Sequence, residues 1–92
     1  MAVAVLIEVE GLTAPQYDQI IKEVWPDGRL PQNAQFHLAG PAGSSWRVVD
    51  VWDSADSFNA FVQGSLGAAM QNAGVTVQPR IDFWPLHNFA QQ

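Results

Sequence analysis

Trp46-Arg47-Val48-Val49-Asp50-Val51-Trp52-Asp53-Ser54 decides how this chain folds. Its first eight residues alternate: Trp46, Val48, Asp50 and Trp52 share one face, and Arg47, Val49, Val51 and Asp53 share the other. That period of two is the signature of a strand. Ser54 then caps a helix, and Asp56 sits in its first turn, where the helix dipole favours an anion. Phe58, Phe61, Val62, Leu66, Ala69, Met70 and Ala73 keep helical spacing up to Gly74, a C-terminal stop. Gly64 and Gly67 fall inside that stretch, each costing about 1 kcal/mol relative to Ala, so a kink or two short helices are predicted.

Working upstream, Gly40-Pro41-Ala42-Gly43-Ser44-Ser45 reads as a hairpin loop. Ala34–Ala39 is its first arm, with Phe36 and Leu38 on one face and Gln35 and His37 on the other. Trp25 to Asn33 carries Pro26, Asp27-Gly28 and Pro31 and reads as a connector. Before it, Thr13-Ala14-Pro15-Gln16 is a capping-box signature, and Tyr17, Ile20, Ile21 and Val24 form the apolar stripe of a helix over 14–24. Ala2 to Val9 is almost unbroken aliphatic sequence, the pattern of a central strand buried on both faces. Downstream, Val75 to Phe83 is a last strand, with Pro79 placing it at an edge or a bulge. Trp84-Pro85-Leu86-His87-Asn88-Phe89 is apolar enough to pack on something.

The order is β-α-β-β-α-β, the split βαβ pattern of an antiparallel ferredoxin-like α+β fold, spanning 1–92 as one domain. In that pattern both helices cover one sheet face. The first and third strands carry apolar residues on both faces, so the other face also needs a cover, and a second copy of the chain in a homodimer is the simplest supplier.

Composition narrows the partners. Four Lys+Arg against nine Asp+Glu give a net charge of −5, and Lys22, Arg29, Arg47 and Arg80 are too few and too scattered for a nucleic-acid-binding stripe. The absence of cysteine excludes disulfides, zinc fingers, iron–sulfur ligation and a thiol nucleophile. No apolar run approaches the roughly 18–20 residues that span a bilayer, and the first residues lack the basic region of a signal peptide, so a cytoplasmic protein without membrane contact is expected. Ten aromatic residues among 92 exceed what one small core readily holds, which directs some of them towards an interface or a ligand.

Beyond these patterns, several segments resemble the dimeric α+β barrel superfamily, and within it the antibiotic-biosynthesis-monooxygenase-like proteins. They are Gly11-Leu12-Thr13 through Tyr17-Asp18, Phe36-His37-Leu38-Ala39-Gly40-Pro41, Trp46 to Trp52 with Asp53-Ser54, Phe58 and Phe61, and Pro85-Leu86-His87-Asn88. The resemblance covers essentially the whole chain. It implies a homodimer in which two sheets close into a barrel, with a pocket between sheet and helices in each subunit. It also implies oxidation of aromatic polyketide-like substrates by oxygen without flavin, metal or haem. Members that degrade haem use an Asn on the first strand and a Trp and a His on the second helix. Here the corresponding helix positions are Phe61 and Met70, and the first strand holds no Asn, so that chemistry is not expected. The monooxygenase Trp at the end of the third strand matches Trp52, whereas its Asn and Tyr partners have no clear counterpart.

Asp50 is the first candidate for chemistry, because it alternates with Trp52 on a face that is otherwise apolar. A buried carboxylate there is a proton acceptor or ligand anchor, or else is paired with Arg47, Arg80 or a cation of a second copy. His37 is the candidate general base; its plainer role is donation to a core carbonyl. Whether it shares a face with Asp50 depends on the hairpin register. Trp52, Tyr17, Phe58, Phe61 and Met70 are the expected walls of a site for a hydrophobic or aromatic small molecule, with core packing as the alternative for each. Trp25, Trp46 and Trp84 lie near element ends or loops, where aromatics mark interfaces or pocket rims, and the interface is the favoured reading. His87 reads as an anchor for the tail. No metal-ligand spacing occurs, and no cofactor is implied. Two functions follow: a binding module for a hydrophobic small molecule, or a cofactor-independent monooxygenase-like enzyme in which Asp50 or His37 takes a phenolic or enolic proton.

Overall fold

In the computed structural model, which describes residues 1–92, β1 (Val3–Glu10) is an inner strand, and its aliphatic character on both sides follows from that position. Val5, Ile7 and Val9 face the helices; Ala4 and Leu6 face the other way. The helix α1 (Ala14–Val24) starts as its sequence dictates. Thr13 Oγ1 accepts from the Gln16 backbone N–H at 3.3 Å, while the Thr13 N–H donates to Gln16 Oε1 at 3.1 Å, closing the capping box.

The strands β2 (Ala34–Ala42) and β3 (Ser45–Trp52) form the hairpin, but its turn is shorter than the expected loop over 40–45. Gly40, Pro41 and Ala42 continue β2 opposite Arg47, Trp46 and Ser45, and only Gly43 and Ser44 turn the chain. Gly43 has φ +63°, the left-handed conformation that a tight turn asks of glycine. Pro41 is tolerated because β2 is an edge strand.

Ser54 Oγ accepts from the Ser57 N–H at 3.1 Å and starts α2 (Ala55–Phe61). A π turn over Val62–Leu66, with non-helical backbone at Gly64, leads into α3 (Gly67–Asn72), which realises the predicted break. The last strand, β4 (Arg80–Pro85), is shorter and later than the expected 75–83, and residues 75–79 form a loop ahead of it. Ile81 pairs with Ile7 and Phe83 with Val5, so the apolar face of β1 sets its register.

All pairings are antiparallel, in the order β2-β3-β1-β4. The topology is ferredoxin-like α+β. The expected closure into an α+β barrel is corrected by this sheet: it is open, β2 and β4 are its two edges, and it does not curl to close. The segment after β4 returns across the face opposite the helices. Leu86 N–H donates to Ala2 O at 3.0 Å, and the Phe89 ring meets Phe36 edge-on at 5.4 Å, so the tail supplies part of the cover assigned to a second sheet.

Under the helices lies the core, built on Val5, Ile7, Val9, Trp46, Val48, Trp52 and Phe58. Trp52 and Phe58 are almost fully buried and pack edge-on at 5.6 Å. Truncating either to Ala removes about 3–5 kcal/mol of packing. Trp25 and Trp46, placed at an interface by the sequence reading, are buried here, whereas Trp84 is half exposed.

Candidate functional site

The two-residue turn at Gly43 and Ser44 places His37 directly opposite Asp50, with both side chains on the helix-covered face. Tyr17, on the apolar stripe of α1, comes down onto the same point. His37 Nδ1 and Asp50 Oδ1 are 2.6 Å apart, and Tyr17 Oη and His37 Nε2 are also 2.6 Å apart. Trp52 Nε1–H donates to the other carboxylate oxygen, Oδ2, at 3.1 Å. With the His37 proton on Nδ1, the ring donates to the Asp50 carboxylate and Nε2 accepts a hydrogen bond from the Tyr17 hydroxyl. The result is a chain of donors, Tyr17 to His37 to Asp50, with Trp52 holding the far end.

Asp50 is only 3% exposed and is the one charged residue among those fully buried. Its carboxylate is held by His37 and Trp52 rather than by a lysine or an arginine. Arg47 faces the opposite side and pairs with Glu8 at 2.6 Å, and Arg80 pairs with Asp82 at 3.7 Å. Burial raises the Tyr17 phenol above its ordinary pKa, and the negative charges of Asp50 and Asp18 raise it further. The phenol therefore keeps its proton and serves as donor. Aromatic packing fixes the imidazole plane: Trp25 meets it edge-on at 4.5 Å, and the Tyr17 ring lies within 6° of parallel at 6.1 Å.

Beside this chain lies a cavity of about 50 Å³ between α1, the sheet and the α2–α3 segment. Of the expected site residues, Asp50, His37, Tyr17, Phe61 and Met70 border it. Trp52 and Phe58 do not. Trp52 stands behind Asp50 as its hydrogen-bond donor, and Phe58 is packed between Trp52 and Phe83. Ile20, Leu66 and Trp25 are among the other residues of the wall and were not named for it from the sequence. Trp25 follows Ile21 by four residues, so continuing the α1 stripe one position past the helix end was the signal that could have found it. The buried Nε1–H groups of Trp25 and Trp46 have no partner.

The cavity surface is almost entirely apolar, because the polar atoms of Tyr17, His37 and Asp50 are turned to one another. For His37 to take a proton from a bound molecule, the Tyr17 hydroxyl must leave Nε2. Asp50, with both oxygens engaged, orients the imidazole rather than meeting a ligand. His87 is exposed in the tail, away from the site. No three His, Asp or Glu side chains gather closely enough to hold a metal. No helix is long and apolar enough to cross a membrane.

No family model and no curated protein matches the chain. Solved structures do match in fold. A protein of unknown function from Nitrosomonas europaea superposes with a TM-score of 0.73 at 16% identity, covering 99% of this chain and 94% of that one. SnoaB, a cofactor-independent oxygenase from Streptomyces nogalater, gives 0.63 at 11% identity, covering 99% and 97%. A structure from Caulobacter crescentus named after the antibiotic biosynthesis monooxygenases gives 0.71 at 11%, covering 95% and 91%. The fold resembles that of the antibiotic-biosynthesis-monooxygenase-like proteins, as the sequence segments implied.

Proposed function

We propose that this protein binds a small hydrophobic or aromatic molecule between its sheet and its helices, and that binding rather than turnover is its primary activity. The apolar cavity bordered by His37, Tyr17, Phe61 and Met70 carries this reading. The mutual pairing of Tyr17, His37 and Asp50 favours binding over catalysis, because the structure presents no free base to a ligand. Phenol is a suitable probe. Saturable binding that raises the unfolding midpoint, and that Met70→Trp abolishes by filling the cavity, is the expected outcome. A midpoint unchanged at saturating phenol removes the reading.

A second reading is a cofactor-independent monooxygenase-like enzyme acting on an aromatic polyketide-like substrate. It is favoured by the Tyr17–His37–Asp50 chain and by the shared fold with an oxygenase of that description. His37, oriented by Asp50, would take a phenolic or enolic proton once Tyr17 swings away, and the resulting carbanion would react with oxygen. Oxygen uptake with an anthrone, lost in His37→Gln, selects this reading; binding without uptake selects the first. A second copy of the chain, covering the exposed Leu38 and Trp84 on the face opposite the helices, is the proposed protein partner.

A further inference from the structure

The cavity beside His37 is by itself smaller than an aromatic ring needs. At about 50 Å³ it falls well below the roughly 150 Å³ of an engineered cavity that accommodates benzene. A second cavity, of about 290 Å³, lies between the π turn and the loop over 75–79. The two share Ile7, Leu66 and Met70 as walls. Ile7 belongs to the inner strand β1, whereas Leu66 closes the π turn and Met70 lies one turn further on the same helical face. Leu66 and Met70 thus form the partition. Methionine is unbranched and repacks readily, and π turns are commonly placed at functional sites.

Chemistry differs on the two sides of this partition. The inner chamber is apolar and ends at the Tyr17–His37 pair. The outer groove has no charged residue in its lining, and its polar members are Gln71, Thr76 and Gln78. We propose that the two cavities are one bipartite site. Met70 repacks to join the chamber to the groove; the chamber, so widened, takes a planar apolar head with a neutral hydroxyl, the groove takes an uncharged hydrogen-bonding tail, and Leu66 and Met70 set the width that can pass between them. This rests on the small-molecule reading and names its ligand class, a neutral amphiphile with a single-ring head.

The test uses the full chain and three probes: phenol, 4-hydroxyphenylacetamide and 4-hydroxyphenylacetate. NMR follows the His37 imidazole and the Gln78 side-chain amide. The acetamide is expected to move both signals in one titration and to bind about tenfold tighter than phenol, while the acetate gains nothing over phenol. Replacing both glutamines (Gln71→Ala with Gln78→Ala) is expected to cancel the acetamide's advantage and leave phenol unchanged. Both positions are exposed, so folding is not at stake. Leu66→Trp, which fills the partition and part of the chamber wall, is expected to weaken both phenol and the acetamide and to abolish the acetamide's advantage. If phenol moves His37 but the acetamide binds no tighter, or moves Gln78 without His37, the bipartite site is overturned while the small-molecule reading stands. If no probe moves His37, both fall.

Discussion

Tyr17 and Asp50 hold the site from opposite ends, and each has a measurable consequence. Below a pH of about 10 both the folded and the unfolded chain keep the Tyr17 proton. Above it the unfolded chain releases that proton first, because burial and the neighbouring carboxylates raise the folded pKa. Stability is therefore expected to fall as pH rises from about 10 through the folded value. In pH-dependent urea unfolding, Tyr17→Phe should flatten that slope and cost about 0.5–1.5 kcal/mol at neutral pH for the lost hydrogen bond. Asp50→Ala should cost more, about 2–4 kcal/mol, since it strands both the His37 Nδ1–H and the Trp52 Nε1–H without acceptors. A loss under about 1 kcal/mol would show that the carboxylate contributes little to this network. Asp50 and His37 were legible as candidates because each breaks an apolar strand pattern. Their pairing was not, since it depends on a register that a six-residue loop leaves open and a two-residue turn settles.

The elements themselves were read from local signals, and they departed from the reading where the environment decided. The capping box of α1, the cap at Ser54 and the break near Gly64 all follow from side chains within a few residues of one another. The longer β2 and the later β4 do not. Both are edge strands, whose extent is set by the neighbour they pair with rather than by their own apolar pattern. Gly67 offers a test of the π turn. A Cβ there would lie 2.9 Å from the Val62 carbonyl oxygen, a close approach to backbone. Gly67→Ala should thus destabilise, against the gain of about 1 kcal/mol that alanine brings to an ordinary helix position. Thermal unfolding of the variant reads the sign, and an increased midpoint would mean that the turn relaxes without cost.

Across the molecule, the surplus of aromatic residues is divided between three places. Trp46, Trp52, Phe58 and Phe61 pack under the helices, Tyr17 and Trp25 enclose His37, and Phe89 folds back on Phe36. The antiparallel α+β topology was legible because its apolar periods change in sequence order. The barrel was not realised: the prediction rested on an uncovered face, and the tail covers part of it. Leu38 and Trp84 still expose about half of their surface there. Light scattering at micromolar concentration is expected to report twice the chain's 10.1 kDa, and Leu38→Glu should return it to a single chain. A single-chain mass for the unmodified protein would remove the homodimer.

Whether a ligand enters between sheet and helices can be read from one titration. With methyl-labelled protein and phenol, the methyl signals of Ile20, Val48, Leu66 and Met70, which border the chamber, are expected to shift together along one saturable curve. Shifts confined to Leu38 and Val49 on the opposite sheet face, or no saturable shift at all, would place binding elsewhere and remove the chamber from the function of this protein.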